Sequence, residues 1–472
     1  MKKPALLLCI VSFLLLSCRP ALLQPPGNLP SPPLEVRIPS LDKTVLANGV
    51  TLYHLEDGEL PLVSVSVLIG AGSAFDPEGK EGVADLTGGL LRTGGTLGMA
   101  SAELDDELDF MAAEVNVEVE REVTWMGASF LKEDFARGLH LLSRMLREPA
   151  FEKEKFALAK NLKRDALLRI PDNPSRLAFR EFFGILYGDD PRGRLETMTS
   201  VEGIDREDLV RFYESSFFPA NVRIAVTGDI DAEEALKQVE QAFGSWRRQG
   251  SIPVLPLPKP HGAGVYLLRK DLPQSVIVTG QIVSGSLDED HYAFEVLDFI
   301  LGSGGFRSRI FGRVRNTLGL AYSAGSFYVP RGGYGVFAAY AMTKSGATAR
   351  VAGEISVILK QSGIQLMEGE EIDWAKESLV NQFVFSLSSV AKIARQQMLI
   401  DYQGLPGDYL SRYRENIRRV TAEDVERASR SQLGLAGDLP MLVLGDDSAF
   451  DGPLDVFGPV RVIQAAGLQE KE

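Results

Sequence analysis

The sequence predicts an α+β fold made of two homologous repeats, each a largely antiparallel sheet covered by helices. Three landmark segments of the first half recur in the second half in the same order. Their offsets are 212, 216 and 217 residues, from Leu60 to Leu272, from Arg206 to Ala422 and from Gly228 to Gly445. Such nearly constant offsets indicate a duplicated unit, and a chain of 472 residues is long enough for two of them.

Local patterns predict the elements of the first repeat, which we place at residues 37–250. A hairpin over Lys43–Tyr53 has Asn48-Gly49 as its tight turn. Apolar residues at helical spacing predict a helix within Gly82–Gly95. Ser101 is predicted to cap an acidic helix that ends near Ala113. Alternation predicts strands over 62–69, 115–119, 123–130 and 222–227, and helices are predicted over 132–147, 152–169, 175–187, 206–216 and 232–246.

Three further segments complete the predicted domain organisation. Residues 1–18 have the layout of a lipoprotein signal peptide, with two lysines, an apolar run and then Cys18, and their ending resembles the bacterial lipobox. A plain secretory signal with an incidental cysteine is the alternative. Residues 19–36 form a proline-rich tether, and 251–264 a second proline-rich segment that links to the second repeat at 265–472.

This N-terminus predicts a location in the bacterial cell envelope. Lipidation of Cys18 would anchor the chain to a membrane and leave the folded part facing the periplasm. Arg19, which follows the cysteine, favours the outer membrane. Cys9 and Cys18 are the two cysteines of the sequence, so the mature protein is predicted to lack disulfides and cysteine metal ligands.

Net charge excludes one class of partner. The formal charge is −14 at pH 7, and a chain without a basic field does not displace counterions from phosphates. We therefore predict no nucleic-acid partner.

Two motifs connect the repeats to a known family. The first reads Gly-Val-Ala-Asp-Leu-Thr-Gly-Gly over 82–89, and the second runs from a glycine-rich turn at 302–305 to Gly-Leu-Ala-Tyr-Ser at 319–323. With two linked α+β repeats, they resemble the insulinase/pitrilysin family of zinc peptidases over about Leu41 to Leu444. The resemblance implies that the repeats close as a clam-shell.

The first motif implies that the zinc site has been lost. Catalytic members carry Gly-x-Ala-His-x-x-Glu-His, in which two His bind zinc and the Glu acts as general base. On this frame Asp85 and Gly89 replace the two His and Gly88 replaces the Glu, while the third ligand falls near Asp165. Two carboxylates are a poor zinc site, so we predict no metal or other cofactor on this chain. A solvated or helix-capping role for Asp85 stays open.

The second motif is intact by the same resemblance. In the family its Arg and Tyr face the zinc of the partner half, bind the substrate backbone and stabilise the oxyanion at the scissile carbonyl. Arg315 and Tyr322 are the corresponding residues. The alternative is that Arg315 pairs on a helix surface and Tyr322 packs in a sheet.

The resemblance also implies a substrate-binding strand. The family binds peptides as an added strand along the edge strand after the zinc helix, where this chain has Asn116, Val117, Glu118 and Val119. An ordinary edge strand, kept soluble by its glutamates, is the alternative.

These residues predict a non-catalytic subunit of a heteromeric periplasmic zinc metallopeptidase, similar to mitochondrial processing peptidase subunits and bacterial two-chain relatives. A homologous subunit with the zinc motif would supply metal and base, and the substrates would be peptides. A catalytically inactive peptide-binding or scaffold protein of the same fold is the alternative. A third possibility is an independent peptidase that uses another metal site.

Overall fold

The computed structural model describes residues 38–251, 254–364, 367–433 and 439–468. The predicted signal peptide, Cys18 and the tether lie outside these residues. The described chain contains two six-stranded sheets, each covered by helices, and the predicted α+β class with two similar repeats is confirmed. Among the described residues, no helix combines the length and apolarity needed to cross a membrane.

The first half builds one sheet and eight helices. Its strands are β1 (Asp42–Val45), β2 (Thr51–Glu56), β3 (Leu62–Ile69), β4 (Val115–Val119), β5 (Thr124–Leu131) and β6 (Val222–Gly228), in the spatial order β1-β2-β6-β3-β5-β4. Its helices are α1 (Val83–Thr93), α2 (Ser101–Phe110), α3 (Phe135–Arg147), α4 (Lys153–Leu168), α5 (Pro174–Tyr187), α6 (Met198–Gly203), α7 (Arg206–Ser216) and α8 (Ala232–Phe243).

The second half builds the other sheet. Its strands are β7 (Gly264–Arg269), β8 (Gln274–Val283), β9 (Ala321–Pro330), β10 (Gly335–Lys344), β11 (Pro440–Gly445) and β12 (Val460–Ile463), in the order β12-β7-β11-β8-β10-β9. Its helices are α9 (His291–Asp298), α10 (Arg309–Phe311), α11 (Thr348–Ser362), α12 (Gly369–Ser386), α13 (Val390–Tyr402), α14 (Tyr409–Arg419) and α15 (Ala422–Leu433). The helices α9 and α10 continue as π-helical turns over Phe299–Ser303 and Gly312–Thr317.

Five strands have the same pairing in both sheets. In the first, β2 and β6 are parallel, and β6, β3, β5 and β4 follow in antiparallel order. In the second, β7 and β11 are parallel, and β11, β8, β10 and β9 are antiparallel. The sixth strand differs, because β1 runs antiparallel to β2 whereas β12 runs parallel to β7. Two of the three landmark pairs of the sequence fall on equivalent strands, β3 with β8 and β6 with β11, and the third pair, Arg206 and Ala422, begins the equivalent helices α7 and α15.

Alternating apolar side chains form a hydrophobic core on one face of each sheet. In β3, Val63, Val65 and Val67 are at most 1% exposed and pack with Leu90 of α1 and Leu142 of α3. Each such buried aliphatic side chain contributes about 1.5–3 kcal/mol relative to an exposed one. The first core therefore fixes α1 against its own sheet.

The opposite face of each sheet is covered by a helix from the other half. From the first half, α5 packs Leu177, Phe182 and Leu186 against the second sheet. From the second half, α13 packs Ala394 and Met398 against Tyr53, Leu68 and Ala225 of the first sheet, as these side chains form one buried cluster. The sequence predicted helices on one face of each sheet, and this reciprocal exchange adds a helix to the other face.

One predicted cap is wrong. Ser101 is the first residue of α2 rather than its cap, and Ala100 holds the capping position without a side-chain hydrogen bond. The Ser101 amide and hydroxyl instead donate to the two carboxylate oxygens of Glu152, at 2.8 and 2.7 Å. A tertiary contact has replaced the local cap.

Candidate functional site

The N-terminal amides of helix α1 bind a buried aspartate that the sequence analysis did not single out. The carboxylate of Asp76 accepts hydrogen bonds from the amides of Gly82 at 2.7 Å and Ala84 at 2.8 Å. It thereby satisfies amides that a helix N-terminus leaves unpaired. Gly82 has a φ of 108°, a conformation that glycine adopts without strain. Burial raises the pKa of the Asp76 carboxyl to about 7, although these amide donors act in the opposite direction.

Asp85, at the position predicted for the first zinc ligand, is paired with a lysine. The Lys163 ammonium of α4 lies 2.6 Å from the Asp85 carboxylate and 2.6 Å from the Glu196 carboxylate. Its side chain is 16% exposed. Burial alone would lower the pKa of this ammonium, but the carboxylates of Glu196 and Asp85 outweigh burial and raise it. Lys163 is therefore a charged group held between two carboxylates.

The two glycines of the motif have opposite surroundings. A Cβ on Gly88 would lie 2.5 Å from Cγ2 of Val119 and 3.4 Å from Cγ1 of Val117, both on β4. A Cβ on Gly89 would meet no atom within 4 Å. The position predicted for the general base is thus filled by the neighbouring strand, whereas the position predicted for the second His is open.

The side chains around α1 do not fit a catalytic zinc. Asp165, the predicted counterpart of the third ligand, lies on the exposed side of α4, and Lys163 is the α4 residue that reaches Asp85. Within the described ranges, no three His, Cys, Asp or Glu side chains are grouped as a metal site. A catalytic zinc needs three protein ligands and an open position for water. The donor set at α1 falls short of that requirement.

The predicted peptide-binding strand is the edge strand of the first sheet. Val117 and Val119 are partly buried against the core beneath α1. Asn116 and Glu118 are exposed on the opposite face, beside an open groove of about 290 Å³. In this groove the Arg395 guanidinium of α13 lies 4.2 Å from the ring centre of Trp125 on β5. An extended peptide paired with β4 would present alternate side chains to these two faces.

Arg315 and Tyr322 are both exposed at the start of the second sheet's edge strand. Arg315 lies on the π-helical turn after α10, and its guanidinium carbon is 4.8 Å from the ring centre of Phe311 and 5.7 Å from that of Phe306. Tyr322 of β9 is 58% exposed, and its hydroxyl lies 3.2 Å from Sδ of Met342. Both side chains are exposed to solvent, with the Arg315 guanidinium against two aromatic rings and the Tyr322 hydroxyl donating to the Met342 sulfur.

Besides Asp76, three residues of this region escaped prediction from the sequence. Lys163 and Glu196 belong to no motif, and Glu196 is more than a hundred positions from Asp85 in the sequence. Arg395 reaches the β4 groove only because α13 crosses to the first sheet. No sequence pattern predicted these contacts, because each depends on the tertiary path of the chain.

Comparisons with known proteins agree with this architecture. The family description "Insulinase (Peptidase family M16)" matches residues 55–190, which include α1, and "Peptidase M16 inactive domain" matches residues 203–379. A Rickettsia bellii protein named as an uncharacterized zinc protease is 26% identical over 349 residues, covering 73% of this chain and 84% of the relative. A Mycobacterium leprae protein with a similar name is 26% identical over 402 residues, covering 83% and 89%.

Solved structures show the same fold. A crystal structure described as a peptidase M16 inactive domain from Pseudomonas fluorescens has a TM-score of 0.82 at 22% identity, covering 88% of this chain and 100% of that one. A protease from Helicobacter pylori has a TM-score of 0.78 at 18% identity, covering 87% and 100%. Because matches to one family span both halves and relatives cover most of the chain, the protein belongs to the insulinase family, peptidase family M16.

Proposed function

We propose that this chain is a non-catalytic subunit of a heteromeric zinc metallopeptidase in the bacterial periplasm. A homologous partner with an intact zinc motif supplies the metal and the general base. This chain supplies Arg315 and Tyr322 to the reacting carbonyl and β4 to the extended peptide. It carries no zinc itself.

One contrast within the chain carries the proposal. At the motif positions of the first repeat no His or Glu is present, Asp85 is paired with Lys163, and Val119 fills the space beside Gly88. The motif residues of the second repeat, Arg315 and Tyr322, are exposed to solvent beside the start of β9. Donors fixed on a developing oxyanion stabilise a transition state without any metal on the same chain. Relatives named as uncharacterized zinc proteases support zinc-dependent peptide cleavage as the chemistry of the proposed complex.

Reconstitution tests this division of labour. The chain is co-expressed with a zinc-motif homologue encoded beside it, and cleavage of unfolded peptides is measured on the purified complex. Arg315→Ala should lower kcat by about 10²–10³ with little change in KM, as loss of an oxyanion donor does. The matched control is Arg313→Ala, on the same π-helical turn, because Arg313 pairs with Glu354 at 2.8 Å. A complex in which both variants keep full activity would rule out a shared site.

A second candidate is a peptide-binding or scaffold protein without chemistry. The observation that favours it is the edge of β4, whose Asn116 and Glu118 border an open groove. An edge strand binds extended peptides through backbone hydrogen bonds and needs no partner subunit. Peptide binding by the isolated chain, together with no copurifying zinc-bearing homologue, would favour this candidate over the first.

The envelope location is a separate part of the proposal. Cys18 is proposed to carry the lipid that anchors the chain, with the folded part in the periplasm and the anchor in the outer membrane. Metabolic labelling with palmitate, followed by membrane fractionation, tests it directly. Cys18→Ala should abolish the label and release the protein from the membrane fraction, whereas an unlabelled wild type would indicate a plain secretory signal.

A further inference from the structure

Three elements of the first half meet at one ammonium group. Lys163 projects from α4, Asp85 from α1 and Glu196 from the segment that precedes α6, and both carboxylates lie 2.6 Å from Lys163 Nζ. We propose that the Lys163 ammonium is a built-in structural cation, which holds these elements together beside the lost zinc motif and bars a metal ion from Asp85. The proposal concerns this chain alone and holds whether or not a partner subunit exists.

One ammonium bridges two carboxylates from different elements. Both Nζ to oxygen distances, 2.6 Å, are those of short charge-assisted hydrogen bonds. Lys163 therefore neutralises two carboxylates at once, as a bound cation between them would. Because this positive charge belongs to a side chain, the site does not need to bind an ion from solution. The Lys163 side chain is 16% exposed, and those of Glu196 and Asp85 are 26% and 46% exposed, so the ammonium is the most buried of the three charged groups.

The surroundings make this positive charge necessary. The Glu196 carboxylate also acts electrostatically on Asp76, the buried carboxyl that begins α1, as does Glu81. Without the ammonium, Asp85 and Glu196 would face each other as two unpaired carboxylates in a half-buried site. Leaving a charge without its partner in such a site costs far more than replacing the whole set by neutral groups.

The same segment ties α1 to the end of the second half. Arg180 of α5 donates to the carbonyl of Glu196 at 2.5 Å and to the carbonyl of Ala466 at 3.0 Å. The Met198 amide donates to the carbonyl of Gly467 at 2.8 Å. Through Glu196, the Lys163 bridge therefore joins α1 to the place where the last described residues pack on the first half.

Charge-balanced variants test the proposal by thermal unfolding. Lys163→Met removes the cation, and it should lower the melting temperature by about 3 °C. The triple variant Lys163→Met/Asp85→Asn/Glu196→Gln removes the opposing charges as well and should recover most of that loss. Lys163→Arg keeps the charge and serves as the control that stays near wild type.

A metal readout separates a cation site from simple packing. Calcium chloride, compared with sodium chloride at equal ionic strength, should raise the melting temperature of Lys163→Met but not that of wild type or of the triple variant. The proposal is overturned if the triple variant is as unstable as Lys163→Met, or if calcium has the same effect on all three. Zinc bound stoichiometrically by the wild type and lost in Asp85→Asn would also overturn it.

Discussion

The packing of Gly88 against β4 makes a quantitative prediction, because the next residue provides a matched control. Gly88→Ala and Gly89→Ala add the same methyl group to adjacent positions of α1. Each gains about 1 kcal/mol of helix propensity. At Gly88 the new Cβ would lie 2.5 Å from Cγ2 of Val119, about 1 Å inside the optimal separation of two carbon atoms. Overpacking of this kind costs about 1–3 kcal/mol.

The two variants should therefore differ in stability by the cost of overpacking alone. We expect Gly89→Ala to raise the free energy of unfolding by about 1 kcal/mol and Gly88→Ala to lie about 1–3 kcal/mol below it. Urea unfolding followed by circular dichroism measures both. Val119→Ala in the Gly88→Ala background removes the clashing methyl, so the difference attributable to Gly88 should shrink. If both alanines stabilised the protein equally, the space beside Gly88 would be open, and the reasoning that β4 fills the base position would be wrong.

Three further predictions concern a buried methionine, a buried group of ion pairs and the pH dependence of stability. Met398→Ala should destabilise the protein by about 2–5 kcal/mol because it opens a cavity between α13 and the first sheet, whereas Val357→Ala, at a 49% exposed position, should stay within about 0.5 kcal/mol in the same unfolding assay. Arg192→Met should cost about 3–5 kcal/mol by unfolding, as its 4% exposed side chain pairs with Glu122 and Asp190; a loss below 1 kcal/mol would contradict this. Burial raises the pKa of the Glu295 carboxyl from 4.5 to about 7 in the folded protein. Protonation of Glu295 therefore stabilises the fold fully below pH 4.5, and this contribution to the free energy of unfolding is lost as the pH rises to about 7. The melting temperature of Glu295→Gln should accordingly fall less than that of wild type between about pH 5 and pH 8, and parallel curves would contradict it.

Local patterns were sufficient for most of the fold. Strand β3 was predicted over 62–69 and spans Leu62–Ile69, because its alternating valines respond to a single core. The predicted cap at Ser101 failed because Glu152, far along the chain, offered its hydroxyl and amide a better partner. The π-helical turns of the second half also escaped prediction, since nothing in a hydrophobic pattern distinguishes them from ordinary helix.

For the candidate site, the sequence predicted which residues occupy the motif positions but not what those residues contact. Sequence placed Asp85, Gly88 and Gly89 on the motif frame, and the structure shows what each one contacts. It could not indicate that Lys163 pairs with Asp85 or that Val119 crowds Gly88, because these contacts depend on how α4 and β4 pack against α1.

The exchange of helices between the halves has a consequence for the order in which the chain can fold. The hydroxyl of Tyr53 donates to Asp401 at 2.6 Å across 348 residues of sequence. During synthesis, the apolar face around Tyr53 and Leu68 stays exposed until α13 has emerged, even after the rest of the first half is complete. Contacts of such long range are slow to form, and a face that waits for them is prone to aggregation. A chain truncated before residue 390 should therefore need a chaperone that covers this face, although its own repeat contains every strand of the first sheet.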